Sequence, residues 1–311
     1  MRKEIGSEFW DIPTCKDENH IFPDNTKWFL SGRTALAFIL QDIQISSVSM
    51  PHWCCSSMIE PFKKAGISVS FYEDVPDTTK DAILIMDYFG YTGHSQAPND
   101  YKGIVIRDIT HSIFSAIYSD ADYYFGSLRK WAGFKTGGFA FGKWKKDGQI
   151  QPCDGKYFAL RTEAMKQKQE YIAGDSDSKE YLKVFEEANE MLNHTEVCEG
   201  SEDDIIAAQY FDIDRVKRIR RENAKVLIDT IGCIFELGDN DCPLFVPILT
   251  EKRDELRQYL IKHEVYCPVH WPFNNLNNTE ISLVCDQRYD TDDMKRICDL
   301  ILAFREGEKG K

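Results

Sequence analysis

Short, continuous apolar runs recur through the first half of the chain, and they constrain its fold more than any other feature. The clearest runs are Ala82–Met86 and residues 103–106, and helical or turn segments separate the runs from one another. Strands that are apolar throughout are typical of a parallel sheet buried on both faces. The sequence therefore predicts an α/β protein with three layers, α/β/α, built around a mainly parallel sheet.

Polar residues follow these runs where the predicted strands end. Asp87 follows one strand, Asp108 ends the next, and a loop with Lys130 follows a third. In open parallel sheets, ligands bind at the carboxyl ends of the strands. We therefore expect a binding site at this edge of the sheet.

The pattern changes after Gly232, where strands and helices alternate in a smaller α+β unit of about 80 residues, a usual domain size. The predicted elements are strands at 244–249, 265–269 and 281–284 and helices at 252–262 and 291–304. We expect a large α/β domain over residues 1–212, followed by an interdomain helix and a small C-terminal α+β domain over residues 213–311.

Composition narrows the class of partner. The net charge of −13 argues against nucleic acid or an anionic membrane surface as the main partner. No apolar run approaches the roughly 18 residues that a membrane helix needs, and no signal peptide is recognised. Ten cysteines without a secretion signal favour free thiols in a reducing cytoplasm. Their spacing predicts no metal site. We therefore expect a cytoplasmic protein that binds small molecules.

Residues 121–143 are predicted to form a strand, a loop with Lys130 and a second strand. Desolvation at the end of a buried strand lowers the pKa of a lysine, and the neutral amine can form a Schiff base with a carbonyl. The aldehyde most often used in this way is pyridoxal 5'-phosphate (PLP). The alternative interpretation of a lone lysine is a solvated loop residue.

Three more residues could serve PLP. Asp108 could pair with the pyridine nitrogen and keep it protonated, so that the ring withdraws electrons from the substrate carbon. His111 could donate to the phenolic oxygen, and Ser127 would place a hydroxyl near the phosphate. The alternatives are a turn or cap residue for Asp108 and a satisfied loop histidine for His111.

A helix is predicted to begin near Arg33, directly after Ser31 and Gly32. The unpaired N–H groups at a helix start lie at the positive end of the helix dipole and can hold a phosphate. The alternative is an ordinary capped helix in which Ser31 or Thr34 satisfies these donors.

Together these segments resemble a known family. The chain is similar to fold-type-I PLP enzymes, and within them to the DegT/StrS type of sugar aminotransferase. The most specific part is the block formed by residues 108–111, 127–130 and 137–138. The other matching segments are residues 31–36, 50–66 and 88–90 and, less specifically, 253–254, 268–272 and 286–289.

The resemblance implies roles for these residues. Lys130 would form the Schiff base and move a proton, and Asp108 would pair with the pyridine nitrogen. His111 stands where the family often has Gln. Residues implied to hold the phosphate are Gly32, Arg33, Thr34 and Ser127. The family also implies a homodimer that moves an amino group from glutamate to a nucleotide-linked keto sugar.

The chain also departs from the family. In the family, an aromatic residue stacks on the cofactor ring. Counted from Pro51, Cys55 occupies that position here, and Trp53 lies two residues earlier. Arg33 replaces a small residue. His270 and Arg288 are candidate substrate contacts, with surface residues as the alternative interpretation.

Two other functions stay open. One is different PLP chemistry on the same fold, such as a lyase or a dehydratase, although dehydratase relatives replace the lysine with histidine. The other is a non-catalytic binding protein on the PLP fold.

Overall fold

The computed structural model describes residues 4–93, 95–115, 120–146, 148–271 and 278–309. Pro272, the last residue of one segment that carries the resemblance, lies outside these ranges. The strands are β1 (Ile5–Gly6), β2 (Lys27–Phe29), β3 (Ser47–Pro51), β4 (Ser68–Tyr72), β5 (Ala82–Met86), β6 (Ile104–Asp108), β7 (Tyr123–Ser127), β8 (Gly138–Gly142), β9 (Phe245–Leu249), β10 (Val265–Tyr266) and β11 (Glu280–Val284).

Helices separate most of these strands, and a long helical region joins β8 to β9. The helices are α1 (Gly32–Asp42), α2 (Ser56–Lys64), α3 (Gly155–Ala173), α4 (Tyr181–Met191), α5 (Glu202–Gln209), α6 (Ile213–Ile231), α7 (Arg253–Lys262) and α8 (Thr291–Lys309). Among the described residues, each helix is too short or too polar to cross a membrane.

The central sheet has seven strands in the order β2-β8-β7-β6-β5-β3-β4. The strands from β3 to β7 pair in parallel with their neighbours, whereas β8 pairs antiparallel with both β7 and β2. The prediction of a mainly parallel sheet is confirmed.

The central strands are apolar throughout because both of their faces are covered. Every residue of β5 is buried. Leu84 and Met86 pack in one core cluster with residues of α1, whereas Ile83 and Ile85 pack in a second cluster. Since successive side chains of a strand point to opposite faces, these two clusters lie on the two sides of the sheet. The three-layer prediction is confirmed.

The C-terminal part has its own sheet and core. β9 pairs antiparallel with β11, and residues of α6, α7 and α8 pack with them in one cluster. Ile5 of the N-terminal strand β1 pairs with Val265 of β10 and belongs to the same cluster. Strand β1 therefore packs with the C-terminal unit, and the division at residue 212 stays a prediction.

The expectation that all cysteines are free thiols is wrong for two of them. Cys153 and Cys198 form a disulfide, with their Cα atoms 5.1 Å apart. The fold brings the two cysteines together. Cys198 lies beside the edge of the sheet, where its carbonyl oxygen accepts a hydrogen bond of 3.1 Å from the amide of Leu30. Sequence spacing carries no trace of this contact.

Candidate active site

A cavity of about 730 Å³ lies at the carboxyl ends of β6 and β7 and extends to the C-terminal unit. Most of the predicted site residues line it, although they come from distant parts of the chain. These lining residues are Gly32, Arg33, Cys55, Asp108, His111, Ser127, Lys130, His270 and Arg288. Thr34 and Trp53, both within the described ranges, do not line the cavity.

Lys130 lies on a single turn of 3-10 helix, Leu128–Lys130, directly after β7. Leu128 is buried and anchors the turn, whereas Lys130 is exposed. The expected desolvation of Lys130 is therefore wrong for the protein by itself. The turn carries the side chain past the end of the strand, and the amine is in contact with both the cavity and solvent.

Asp108 ends β6 with its side chain buried; only 4% of the residue is exposed. The backbone amide of Thr110 donates a hydrogen bond of 2.7 Å to its Oδ1. Burial raises the pKa of Asp108 to about 6, although the hydrogen bonds from Thr110 and the charge of Lys130 act in the opposite direction. A cation beside this carboxylate would favour its ionised form.

His111 is buried in the cavity wall as a neutral imidazole. The amide of Phe89 donates a hydrogen bond of 3.2 Å to its Nδ1, which leaves the proton on Nε2. Burial lowers the pKa of His111 well below its usual value, and the charges of His270 and Lys130 lower it further. The ring lies nearly parallel to that of Trp271, with 5.7 Å between centroids. His111 can therefore donate one hydrogen bond from Nε2.

The start of α1 lies beside the end of β7. Ser31 and Thr34 form a capping box, so the alternative interpretation of an ordinary N-capped helix is confirmed for these two side chains. The amides of Gly32 and Arg33, in the first turn, have no acceptor within the helix. A Cβ on Gly32 would lie 3.3 Å from the carbonyl oxygen of Gly126, which shows how closely helix and strand approach.

Ser127 completes this corner of the cavity. Its Oγ is buried and has no hydrogen-bond partner among the described residues. A buried hydroxyl without a partner is unfavourable, so the group is suited to a ligand that accepts or donates a hydrogen bond there. The amides of Gly32 and Arg33 and the hydroxyl of Ser127 together suit an oxyanion such as a phosphate.

The Arg33 side chain does not serve this corner. Its Nη1 donates to the carbonyl oxygen of Leu192 at 3.1 Å and to Oδ1 of Asn193 at 2.9 Å. It also forms an ion pair of 3.4 Å with Glu60. The guanidinium therefore joins α1 to the end of α4, and only the backbone amide of Arg33 is left for a ligand at this corner.

Trp53 packs against another aromatic residue beside the cavity and does not line the cavity itself. The Trp53 ring lies nearly parallel to that of Trp271, with centroids 6.3 Å apart, and its carbonyl accepts a hydrogen bond from Tyr88. Trp271 lines the cavity, and its backbone φ of 47° lies in the left-handed region. Cys55 lines the cavity with an exposed thiol.

His270 and Arg288 are held in place rather than free at the surface. Nδ1 of His270 lies 2.9 Å from Oγ of Ser282, and burial lowers the pKa of this histidine. Arg288 forms a paired contact with Asp286, at 2.9 Å from Nε and 2.8 Å from Nη2. The alternative interpretation of both as surface residues is wrong.

The lining residues that sequence reasoning did not assign to the site include Arg129, Arg161 and Trp271. Arg129 is inside the predicted Ser-x-x-Lys block, directly before the lysine. Arg161 shares a buried face of α3 with Tyr157, Ala164 and Lys168. The helical spacing of these residues was a usable signal, because an arginine in register with a tyrosine and an alanine is placed on the inner face.

Comparisons with known proteins identify the fold. No family model and no curated protein matches the chain. Among solved structures, PseC of Helicobacter pylori, an aminotransferase involved in the biosynthesis of pseudoaminic acid, is 13% identical with a TM-score of 0.61, and the match covers 97% of this chain and 100% of that one.

Two further structures agree. The aminotransferase TlmJ of Streptoalloteichus hindustanus is 12% identical with a TM-score of 0.61, over 92% of this chain and 87% of that one. The PLP form of the putative sugar aminotransferase Spr1654 of Streptococcus pneumoniae is 14% identical with a TM-score of 0.57, and the match covers 88% of this chain and 85% of that one. At these identities the likeness shows the fold, so the chain is a protein of the fold-type-I architecture found in these sugar aminotransferases.

Proposed function

We propose that the protein is a PLP-dependent aminotransferase that moves an amino group from an amino acid to a keto sugar. The observation that carries the proposal is the convergence of Lys130, Asp108 and Ser127 on one cavity at the carboxyl ends of β6 and β7. The folds of PseC, TlmJ and Spr1654 give it independent support.

The residues present fit PLP. The buried Asp108 suits a protonated pyridine nitrogen. Burial raises the pKa of Asp108 to about 6, and a cation beside the carboxyl group would favour the ionised form of Asp108. The unpartnered Oγ of Ser127 and the first amides of α1 suit the phosphate. When bound, PLP supplies a ring that withdraws electrons from the substrate carbon.

Each residue then has a defined task. Lys130, with its amine exposed in the cavity, would move the proton between the substrate carbon and C4′ of the cofactor. Asp108 would hold a proton on the pyridine nitrogen. His111 would donate from Nε2 to the phenolic oxygen, because the Phe89 amide occupies its Nδ1.

The charges that line the cavity support an anionic substrate. Among the described residues, the positive lining side chains are Arg33, Arg129, Lys130, Arg161, Arg220, Arg257 and Arg288, and the negative ones are Glu8, Asp108 and Asp286. The whole chain carries a net charge of −13, so the cavity is opposite in sign to the protein around it. This favours glutamate as donor and a nucleotide-linked keto sugar as acceptor, with Arg288 and His270 as substrate contacts.

Two parts of the proposal rest on the sequence alone: a homodimer, which the resemblance implies, and a cytoplasmic location, which the composition favours. Light scattering of the purified protein measures its mass in solution, and fractionation of the source cells locates it. A monomer at working concentration would contradict the homodimer without affecting the assignment of the cofactor.

Spectroscopy of the purified protein tests the central assignment. The protein loaded with PLP is expected to absorb in the visible range and to lose that band when glutamate is added. Lys130→Ala should abolish the band. Lys143→Ala is the matched control, because Lys143 is an exposed lysine that pairs with Asp122 outside the cavity.

Two results would contradict the aminotransferase. A visible band that no amino donor changes would instead support a non-catalytic PLP-binding protein. A product that lacks the transferred amino group would support a lyase or a dehydratase.

A further inference from the structure

Arg129 and Arg161 lie in the same wall of the cavity. Arg129 precedes Lys130 on the 3-10 turn, and its Nη1 donates a hydrogen bond of 2.9 Å to the hydroxyl of Tyr157. Tyr157 is one helical turn before Arg161 on α3. This contact brings the two guanidinium groups together although they are 32 positions apart in the chain.

Both guanidinium groups have a donor without a partner. The Nε atoms of Arg129 and Arg161 are buried, and neither has a hydrogen-bond partner among the described residues. Only 3% of Arg161 is exposed. Its guanidinium carbon lies 4.6 Å from the centroid of the Phe185 ring, Nη2 lies 3.4 Å from the carbonyl oxygen of Phe134, and Nη1 lies 3.7 Å from Glu8.

The positive charges of Arg129 and Arg161 are poorly compensated by nearby carboxylates. Burial lowers the pKa of Arg161, and the nearby charge of Arg129 lowers it further. Glu8 is the carboxylate within ion-pair distance, and 39% of its side chain is exposed to solvent, which screens the interaction. Two adjacent guanidinium groups whose buried Nε–H groups have no partner among the described residues would be stabilised by a multiply charged anion between them.

We propose that Arg129 and Arg161 form a binding site for phosphate oxygens. The Nε–H and one Nη–H of a guanidinium form a planar fork that matches two phosphate oxygens. Two such forks suit a group with two negative charges better than a carboxylate with one. Because the site is in the proposed reaction cavity, the phosphate belongs to the cofactor or to a nucleotide-linked substrate, so the inference rests on the proposed function.

The test uses the full chain, calorimetry and Arg129→Gln. Arg129 is partly exposed, and its one side-chain hydrogen-bond partner among the described residues is the Tyr157 hydroxyl, so we expect the variant to fold. Arg218→Gln is the matched control, because Arg218 is exposed on α6 and pairs with Glu222. Arg161→Gln is the second variant. The probes are PLP, pyridoxal and inorganic pyrophosphate.

Two outcomes support the site, and they distinguish which molecule carries the phosphate. If the phosphate belongs to the cofactor, Arg129→Gln weakens PLP binding by about tenfold to hundredfold and leaves pyridoxal binding unchanged. If it belongs to the substrate, the PLP-loaded protein binds pyrophosphate, and Arg129→Gln weakens that binding by a similar factor while its affinity for PLP is unchanged.

The proposal is overturned if both variants bind PLP and pyrophosphate as the unaltered protein does, or if the unaltered protein binds neither. The failure of the proposed function is a separate result. A protein that does not bind PLP but binds pyrophosphate through Arg129 would retain the phosphate site and lose the aminotransferase.

Discussion

Asp108 shows how burial and function conflict at a single residue. In the protein without cofactor, the carboxyl is buried beside the Thr110 amide, and its pKa rises from 3.8 to about 6. A raised pKa means that the folded state binds the proton more tightly than the unfolded state does. The stability from this group is therefore complete below pH 3.8 and is lost as the pH rises through about 6.

Asp108→Asn should therefore stabilise the cofactor-free protein at pH 8, by up to about 3 kcal/mol for a shift of about two pKa units. The gain should disappear below pH 3.8, where the aspartate is mostly protonated in both states. Urea unfolding at several pH values measures this. Asp254→Asn is the control of opposite sign, because hydrogen bonding from Arg253 lowers the pKa of the exposed Asp254. A gain for Asp108→Asn that does not vary with pH would contradict the argument.

The sequence predicted some site residues and missed others for a physical reason. Asp108 and Lys130 follow strands that apolar runs reveal, so the edge of the sheet that they share could be predicted from the order of the residues alone. Trp271 and Arg161 reach the cavity only through tertiary packing. For Arg161 the helical spacing indicates an inner face of α3, but it does not indicate that this face borders the cavity.

At the scale of elements, the proposed phosphate site lies at the corner between α1, β7 and β8. Ser31 fixes the first turn of α1, and β8 passes directly behind it. The bounds of these elements followed from apolar runs and glycines. Their close contact did not, because it depends on how strands pair across the sheet.

Ser31→Ala should cost about 1 kcal/mol of stability, the usual loss for an N-cap hydroxyl. It should also weaken PLP binding, because the amides of Gly32 and Arg33 lose their fixed orientation. Thermal unfolding and a PLP titration measure the two effects. Ser201→Ala is the matched control, since Ser201 is the N-cap of α5 but its side chain makes no capping hydrogen bond. Equal losses in both variants would disprove the role of the cap.

Gly138→Ala tests the packing behind the same turn. A Cβ at this position would clash with the backbone of Ser31, which cannot move without shifting α1. We expect a loss of about 1–3 kcal/mol, typical of overpacking, together with weaker PLP binding. Gly155→Ala is the control, because a Cβ there meets no atom within 4 Å. Denaturant unfolding of the two variants should differ clearly; similar curves would contradict the predicted clash.

At the scale of the whole molecule, the disulfide closes a long loop around one side of the sheet. Cys153 and Cys198 are 45 positions apart, and the chain between them contains α3 and α4. Both cysteines could be read from the sequence, but their pairing required the fold.

Reduction of this disulfide should lower the free energy of unfolding by roughly 4 kcal/mol, the loop-entropy value for a loop of this length. Urea unfolding with and without a reductant measures the loss, and Cys153→Ser should reproduce it. Cys15→Ser is the control, because Cys15 is an exposed free thiol. An unfolding midpoint that is insensitive to reductant would show that the bond does not form in solution.

The positive lining of the cavity within an acidic chain also affects how fast a reactant arrives. At a distance, an anionic molecule meets the repulsion of a body with net charge −13. Within about one Debye length, roughly 8 Å at physiological ionic strength, it meets the arginines instead. Moderate salt should therefore speed its diffusion to the cavity mouth, and only higher salt should slow its capture.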